Sequence, residues 1–235
     1  MTPPLQQKTT FKLFHKSAGE GHPLILLHGN GEDCTYFDGQ IPAFSARRRV
    51  IAIDTRGHGA SPRGNAPFCL NTFADDLYNF MKSEGIESAD ILGFSDGGNI
   101  ALLFALAHPE MVTRLILNGA NLSPKGIKPA VQLPIELGYR IARTFAKKSN
   151  QAKVNAEMLG LMVNEPHISR ESLERLKMPV LVIAGTKDMV KNKHTLLIQN
   201  SIKNSRLAII KGDHFIAHKN PKQFNRAVLD FLETT

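Results

Sequence analysis

The sequence predicts an α/β architecture: a mostly parallel central sheet covered by helices on both faces, with a small helical cap. Three observations carry this reading. Nearly all-apolar runs recur along the chain, among them Leu24-Ile25-Leu26-Leu27, Val50-Ile51-Ala52-Ile53 and Val180-Leu181-Val182-Ile183-Ala184. Strands this apolar on both sides belong to parallel sheets with both faces covered. Segments of helical periodicity lie between them and set a β-α-β-α rhythm. The rhythm stops at Asn121 and resumes after residue 176, so the stretch between carries helical periodicity and no strand.

The elements follow in order. Residues 11–14 are expected to open the sheet as an edge strand, turning at Gly19-Glu20-Gly21. Strands are expected at 24–27, 50–54, 89–94 and 114–118, with helices at 36–44, 72–83 and 97–107 between them. Residues 121–176 hold three helical stretches, at 135–145, 152–163 and 169–176. Strands at 179–185 and 207–210 then resume the alternation, which runs to Phe231. The predicted organisation is a core of residues 1–120 and 177–235, interrupted by a cap at 121–176.

At 235 residues the chain fits one domain with a full core. Its composition, 42% hydrophobic and 21% charged, is that of a globular protein. Met1 to Lys16 shows no apolar h-region, and the longest apolar run, 100–107, is too short to cross a bilayer. A cytoplasmic protein with no membrane partner is therefore expected. Cys34 and Cys69 lack metal or redox spacing and read as free thiols. Residues 1–120 carry 10 Lys+Arg against 12 Asp+Glu, and residues 121–235 carry 19 against 9. That basic half reads as a solvated surface, because no nucleic-acid-binding module accompanies it. The nine histidines are scattered, and none shows H-x-x-x-H on a helix with a nearby acid, so neither metal nor cofactor is expected.

The chemistry centres on Gly93-Phe94-Ser95-Asp96-Gly97-Gly98, set between an expected strand and an expected helix. A G-x-S-x-G in that setting is a nucleophile elbow. Gly93 and Gly97 let the backbone fold back around Ser95, and Gly98 lets the helix approach the sheet. Ser95 then stands at the carboxyl end of a strand, where open α/β sheets hold their ligands. A serine hydroxyl needs a base, and the base needs an orienting acid. Asp188 and His214 follow the expected strands at 179–185 and 207–210, in the chain order Ser, Asp, His. Asp213 and His218 are the competing acid and base; Asp188 and His214 are preferred for their positions just past the strand ends.

On these residues the chain resembles the α/β-hydrolases, over most of its length and least between residues 121 and 176. Two further stretches carry the resemblance. Leu27-His28-Gly29-Asn30-Gly31 is similar to the family's oxyanion-hole loop, and Asp54-Thr55-Arg56-Gly57-His58-Gly59-Ala60-Ser61 to its D-x-R-G-x-G-x-S turn. The Ser-Asp-Gly-Gly elbow is similar to that of the valacyclovir-hydrolase (biphenyl-hydrolase-like) branch. The histidine loop departs from the pattern, with Asp213 where relatives carry a small residue. The resemblance implies backbone N–H donors at Asn30 and Asp96 for a developing oxyanion. It also implies a cap over the site. There Leu137, Ile141, Met158, Leu159, Met162 and Val163 are expected either to face the pocket or to form the cap's own core. Met158, Met162 and the Asp96 side chain are the candidate substrate contacts. His28 and His58 are expected to bond local backbone, and Arg56 to tie loops together.

The function expected is cleavage of small carboxylic esters through an acyl-enzyme, by a monomer or homodimer. Thioesters, lactones and amino-acid esters fall within the same chemistry. C–C bond hydrolysis or perhydrolysis with the same three residues, and slow-turnover ligand binding, are the alternatives.

Overall fold

Alternation of side chains along each strand decides how the chain is layered. In the computed structural model, which describes residues 11–234, Ile25 and Leu27 point to one face of the sheet while Leu24 and Leu26 point to the other. Residues 1–10, most of the stretch read for a leader, lie outside the described residues, as does Thr235.

Among the described residues seven strands form one sheet: β1 (His15–Ala18), β2 (Pro23–Leu27), β3 (Arg49–Ile53), β4 (Ala89–Phe94), β5 (Val112–Asn118), β6 (Val180–Gly185) and β7 (Ser205–Ile210). Their spatial order is β1-β3-β2-β4-β5-β6-β7; β1 is antiparallel to β3 and the other pairs are parallel. One core cluster joins Ile25, Ile91 and Leu115 to Phe73, Leu77 and Phe80 of α2 (Leu70–Ser83) and to Ile100 and Phe104 of α3 (Asp96–Ala107). Ile198 of α6 (Asn192–Ser201) belongs to the same cluster. The opposite cluster packs Leu26, Leu92 and Ile116 against Phe44 of α1 (Ile41–Phe44) and Phe224, Val228 and Phe231 of α8 (Pro221–Glu233). Both sheet faces are thus covered, as the apolar runs require.

The insertion between β5 and β6 is a pair of packed helices, α4 (Pro129–Phe145) and α5 (Asn150–Asn164). Ser149 caps α5, its hydroxyl accepting the Ala152 N–H at 3.3 Å. The insertion's ends meet, since the Ile168 N–H donates to the Leu122 carbonyl at 2.9 Å.

Three expectations at the edges are corrected. The edge strand is His15–Ala18, not 11–14; Phe11 and Leu13 instead pack against the core from an extended segment. Residues 36–44 do not make one helix. Asp33 caps a 3₁₀ turn at Cys34–Phe37, and α1 starts only at Ile41, with Pro42 in its first turn. Residues 169–176 form a 3₁₀ turn, Glu171–Arg175, in place of an α-helix. Among the described residues no helix is long and apolar enough to cross a membrane.

The strand order fixes where a ligand can sit. From β2 the chain moves outward to β3, then returns to β4 on β2's other side. The loops leaving β2 and β4 therefore diverge and open a crevice at the carboxyl edge, the usual ligand position in such sheets.

Candidate active site

Ser95 occupies the turn between β4 and α3 with φ 53° and ψ −119°, and among the described residues it is the one non-glycine with positive φ. A β-carbon disfavours that conformation, so the surroundings must hold it there. The Ser95 N–H donates to the Asn118 carbonyl at 2.8 Å, and its own carbonyl accepts the Asn99 N–H at 3.1 Å. The turn also closes tightly on its neighbours. A β-carbon at Gly93 would lie 2.2 Å from the Gly97 carbonyl oxygen, and one at Gly97 would lie 2.1 Å from that of Leu27. Only glycine fits either position.

This turn presents the hydroxyl to the loop after β7. Ser95 Oγ is 3.0 Å from His214 Nε2, and His214 Nδ1 is 2.7 Å from Asp188 Oδ1. Asp188 is wholly buried in the loop after β6. Burial alone would raise its pKa. The hydrogen bond from His214, that residue's charge, and the N–H groups of Val190 (3.0 Å) and Gly185 (3.2 Å) outweigh burial and hold it below the usual carboxylate value. The His214 ring lies 4.9 Å from Phe94 and is 5% exposed. The competing groups sit elsewhere. Asp213 pairs with Lys219 and accepts the Phe215 N–H at 3.0 Å, while His218 stacks at 6.5 Å from Tyr36 on α7 (Ile216–Lys219).

Asn30 and Asp96 stand on the two loops that flank the crevice. Among the described residues neither backbone N–H donates to a protein acceptor, so both are free for a ligand. Their side chains bond each other: Asn30 Nδ2 donates to Asp96 Oδ2 at 2.9 Å and also to the Met158 carbonyl at 2.8 Å. Asn99 Nδ2 approaches Asp96 Oδ1 at 3.3 Å and donates to Asn121 Oδ1 at 3.1 Å. Burial pushes the Asp96 carboxyl up to about 6 against the pull of Asn30 and Asn99, and the nearby Glu165 charge adds to the rise.

Backbone bonding accounts for His28 and His58 in the glycine-rich loops. His28 Nδ1 lies 2.7 Å from the Gly29 carbonyl and its Nε2 accepts the Thr55 N–H at 3.0 Å. Burial, with the neighbouring His58, lowers its pKa to about 4. His58 Nδ1 lies 3.0 Å from the Arg56 carbonyl. Arg56 grips Asp76 with two bonds, of 2.7 and 2.5 Å, and lies 3.7 Å over the Phe11 ring. Both histidines bond nearby backbone as expected, whereas the arginine, expected to tie loops together, anchors its loop to α2 through Asp76.

The helical insertion departs from expectation in two ways. Leu137 and Ile141 form no core; they lie on an open face of α4, 61% and 53% exposed. Met158 and Met162 are half-buried, and their carbonyls accept from Asn30 and from Gln132 (3.3 Å). Met158 thus reaches the site through its backbone.

Sequence reasoning missed Glu32. Its Oε2 accepts the Gly29 N–H at 3.1 Å, tying down the loop that carries Asn30. Burial pushes its pKa up to about 7, despite that bond and the field of His214. The motif's signal ended at Gly31, although an acid immediately after a glycine loop was legible. Tyr36, stacked 4.4 Å from Phe94 at 3°, completes the wall behind His214.

One group among the described residues has metal-like spacing: Asp33, Cys34 and Asp54, with ligand atoms within 4.8 Å of one another. Those atoms hold the turns instead. Asp54 accepts the N–H groups of Cys34 (2.7 Å) and Ala60 (2.8 Å), Asp33 accepts from Thr35, and burial pushes the Cys34 thiol up to about 12.

Known proteins share this arrangement of chain. The α/β hydrolase fold family matches residues 22–156, more than half of the sequence. The mouse serine hydrolase BPHL is 28% identical over 94% of this chain and 83% of its own length. A putative carbamate hydrolase, RutD, from Caulobacter sp. is 28% identical over 97% of this chain and 98% of its own. A meta-cleavage product hydrolase from Pseudomonas fluorescens superposes with TM-score 0.76 at 26% identity, covering 94% of this chain and 93% of that one. The resemblance to the BPHL branch read from the elbow is supported by the first of these, and the chain belongs to the α/β hydrolase fold family.

Proposed function

We propose that this hydrolase is a serine enzyme that cleaves small carboxylic esters through an acyl-enzyme, without a cofactor. The observation that carries the proposal is the bond chain Ser95–His214–Asp188, presented by a turn strained at its serine. His214 Nε2 takes the hydroxyl proton as Ser95 Oγ attacks the ester carbonyl. Asp188 holds the Nδ1–H tautomer and stabilises the imidazolium. The oxyanion is received by the free N–H groups of Asn30 and Asp96. The tetrahedral species collapses, the carbon–oxygen bond to the alcohol breaks, and His214 returns its proton to the departing oxygen. Water then attacks the acyl-enzyme by the same route and frees Ser95.

In this reading α4 and α5 act as the cap, tied to the site through Met158. Asp96 and Glu165 add two acidic groups whose fields reach each other, and among the described residues Asp96 has no cationic side chain bonded to it. That favours an acyl group carrying an ammonium, such as an amino-acid ester. The test is steady-state hydrolysis of p-nitrophenyl acetate. Repeated turnover is expected. Stoichiometric release without turnover would replace the enzyme with a slow-turnover binder, and no release, with cleavage of a vinylogous diketone, would move the activity to C–C bonds.

A further inference from the structure

The outer face of α4 is apolar and open to solvent. Leu133, Leu137, Ile141 and Phe145 are 63%, 61%, 53% and 53% exposed. They recur every four residues, so at about 100° per residue they form one continuous stripe about 120° wide. The helix's opposite side packs inward, burying Gln132 and Ala142 and setting Gly138 and Tyr139 against Leu159 and Gly160 of α5. Four large apolar side chains in a row at this exposure form a contiguous patch. Contiguous patches, unlike scattered apolar residues, mark a surface that meets a partner.

The charges around the stripe identify the partner. Arg140 borders it, and Arg143, Lys147 and Lys148 lie on and just beyond the last turn, all exposed. None of the four forms an ion pair with an acid among the described residues, and the sole acid of α4 is Glu136. A second copy docking through this face would present the same basic residues with Glu136 as the one acid of its α4, and so offers little complementary charge. An anionic bilayer surface complements both features at once: acyl chains accept the stripe and headgroups accept the cations.

We propose that the outer face of α4 rests on anionic lipid, placing the helical insertion against the membrane surface. The chain lies on the bilayer and does not span it, which revises the expectation of no membrane partner drawn from the absence of a spanning segment. The inference is independent of the ester-hydrolase reading, because adsorption requires no turnover.

The test is flotation of the full chain with vesicles of phosphatidylcholine alone and of phosphatidylcholine mixed with phosphatidylglycerol, at low and high salt. Binding is expected to the mixed vesicles, at least about tenfold above the neutral ones and weakened by salt. Leu137→Asp with Ile141→Asp should lower it about tenfold or more, and Arg140→Glu with Lys147→Glu likewise. All four positions are exposed, so thermal unfolding should show both double variants folded. Absence of wild-type binding to mixed vesicles, or equal binding by wild type and the Asp variants, would overturn the proposal. So would a wild-type dimer, seen by light scattering, that the Asp variants dissociate.

Discussion

The side-chain amide of Asn30 bonds the carbonyl oxygen of Met158, 2.8 Å away, and so joins the loop after β2 to the middle of α5. Its second hydrogen points to Asp96 at 2.9 Å. One side chain therefore fastens three parts of the site: the loop carrying one free N–H, the turn carrying the other, and the helical insertion above both. The insertion cannot shift without pulling on Asn30.

Asn30→Ala should accordingly lower kcat/KM for p-nitrophenyl acetate about tenfold, at 1–2 kcal/mol for the lost bonds. Part of the loss should lie in kcat, because the Asn30 N–H is held in place by this side chain. Steady-state kinetics check it; an unaltered kcat would show that Glu32 and Gly29 hold the loop unaided.

Ser95→Ala and His214→Ala should each cost on the order of a thousandfold or more in kcat, and the double variant should be little worse, because such residues act as a unit. A fluorophosphonate should label Ser95. Asp188→Asn should slow the labelling sharply, whereas Asp213→Asn should label at nearly the wild-type rate, since Asp213 faces Lys219. Mass spectrometry of the labelled peptide decides both points.

The acyl-side preference is tested by comparing kcat/KM for an amino-acid ester and its des-amino analogue. Asp96→Asn should erase about 1.5–3 kcal/mol of that discrimination. The carboxylate's present bonds are to Asn30 and Asn99. An unchanged ratio would mean that its role ends with those bonds.

Glu32 makes a prediction about pH. Its carboxyl is raised from 4.5 to about 7 in the folded chain. A group raised in this way contributes stability that is complete below its unfolded value and is lost as pH rises through the folded one. The window here runs from about pH 4.5 to about pH 7. Glu32→Gln keeps an acceptor for the Gly29 N–H but removes the titration. Its stability relative to wild type should therefore rise across the window, by about 1–2 kcal/mol once partial exposure is discounted. His28, lowered to about 4, slopes the opposite way in both proteins and cancels in the comparison. Thermal unfolding at both ends of the window measures it; a difference independent of pH would sink the idea.

The elbow glycines differ in what they tolerate. A β-carbon at Gly97 meets backbone at 2.1 Å, whereas one at Gly98 meets the Ala120 β-carbon and the Gly93 carbonyl oxygen at 3.1 Å. Gly97→Ala should fail to give folded protein. Gly98→Ala should fold with a loss of about 1–3 kcal/mol by denaturant unfolding.

Much of this was legible in the sequence because parallel strands are buried on both faces and leave unbroken apolar runs. The elbow, Asp188 and His214 were found because each follows such a run. The edge strand was misplaced because His15–Ala18 is polar and half-exposed, while Phe11 and Leu13 look like a strand yet pack from an extended segment. The stripe on α4 was visible as periodicity, but periodicity does not say which way a stripe faces. Leu137 and Ile141 face out. The Met158 carbonyl and Glu32 were missed for another reason: a backbone acceptor has no residue signature, and an acid's raised pKa comes from burial that only the fold creates.

The Ile168 N–H bond to the Leu122 carbonyl brings the two ends of the helical insertion together, and within it the Lys128 N–H donates to the Met189 carbonyl at 2.9 Å. Ser95, Asp188 and His214 all lie outside that insertion, on loops rooted in β4, β6 and β7. The insertion is thus separate from these three residues along the chain but not in its bonding, since Lys128 Nζ donates to the Asp188 carbonyl and Ile127 bridges Val190. A replacement of the insertion that keeps the proton path aligned must therefore offer Asn30 an acceptor where Met158 now stands and keep the contacts of Ile127 and Lys128 with the loop that carries Asp188.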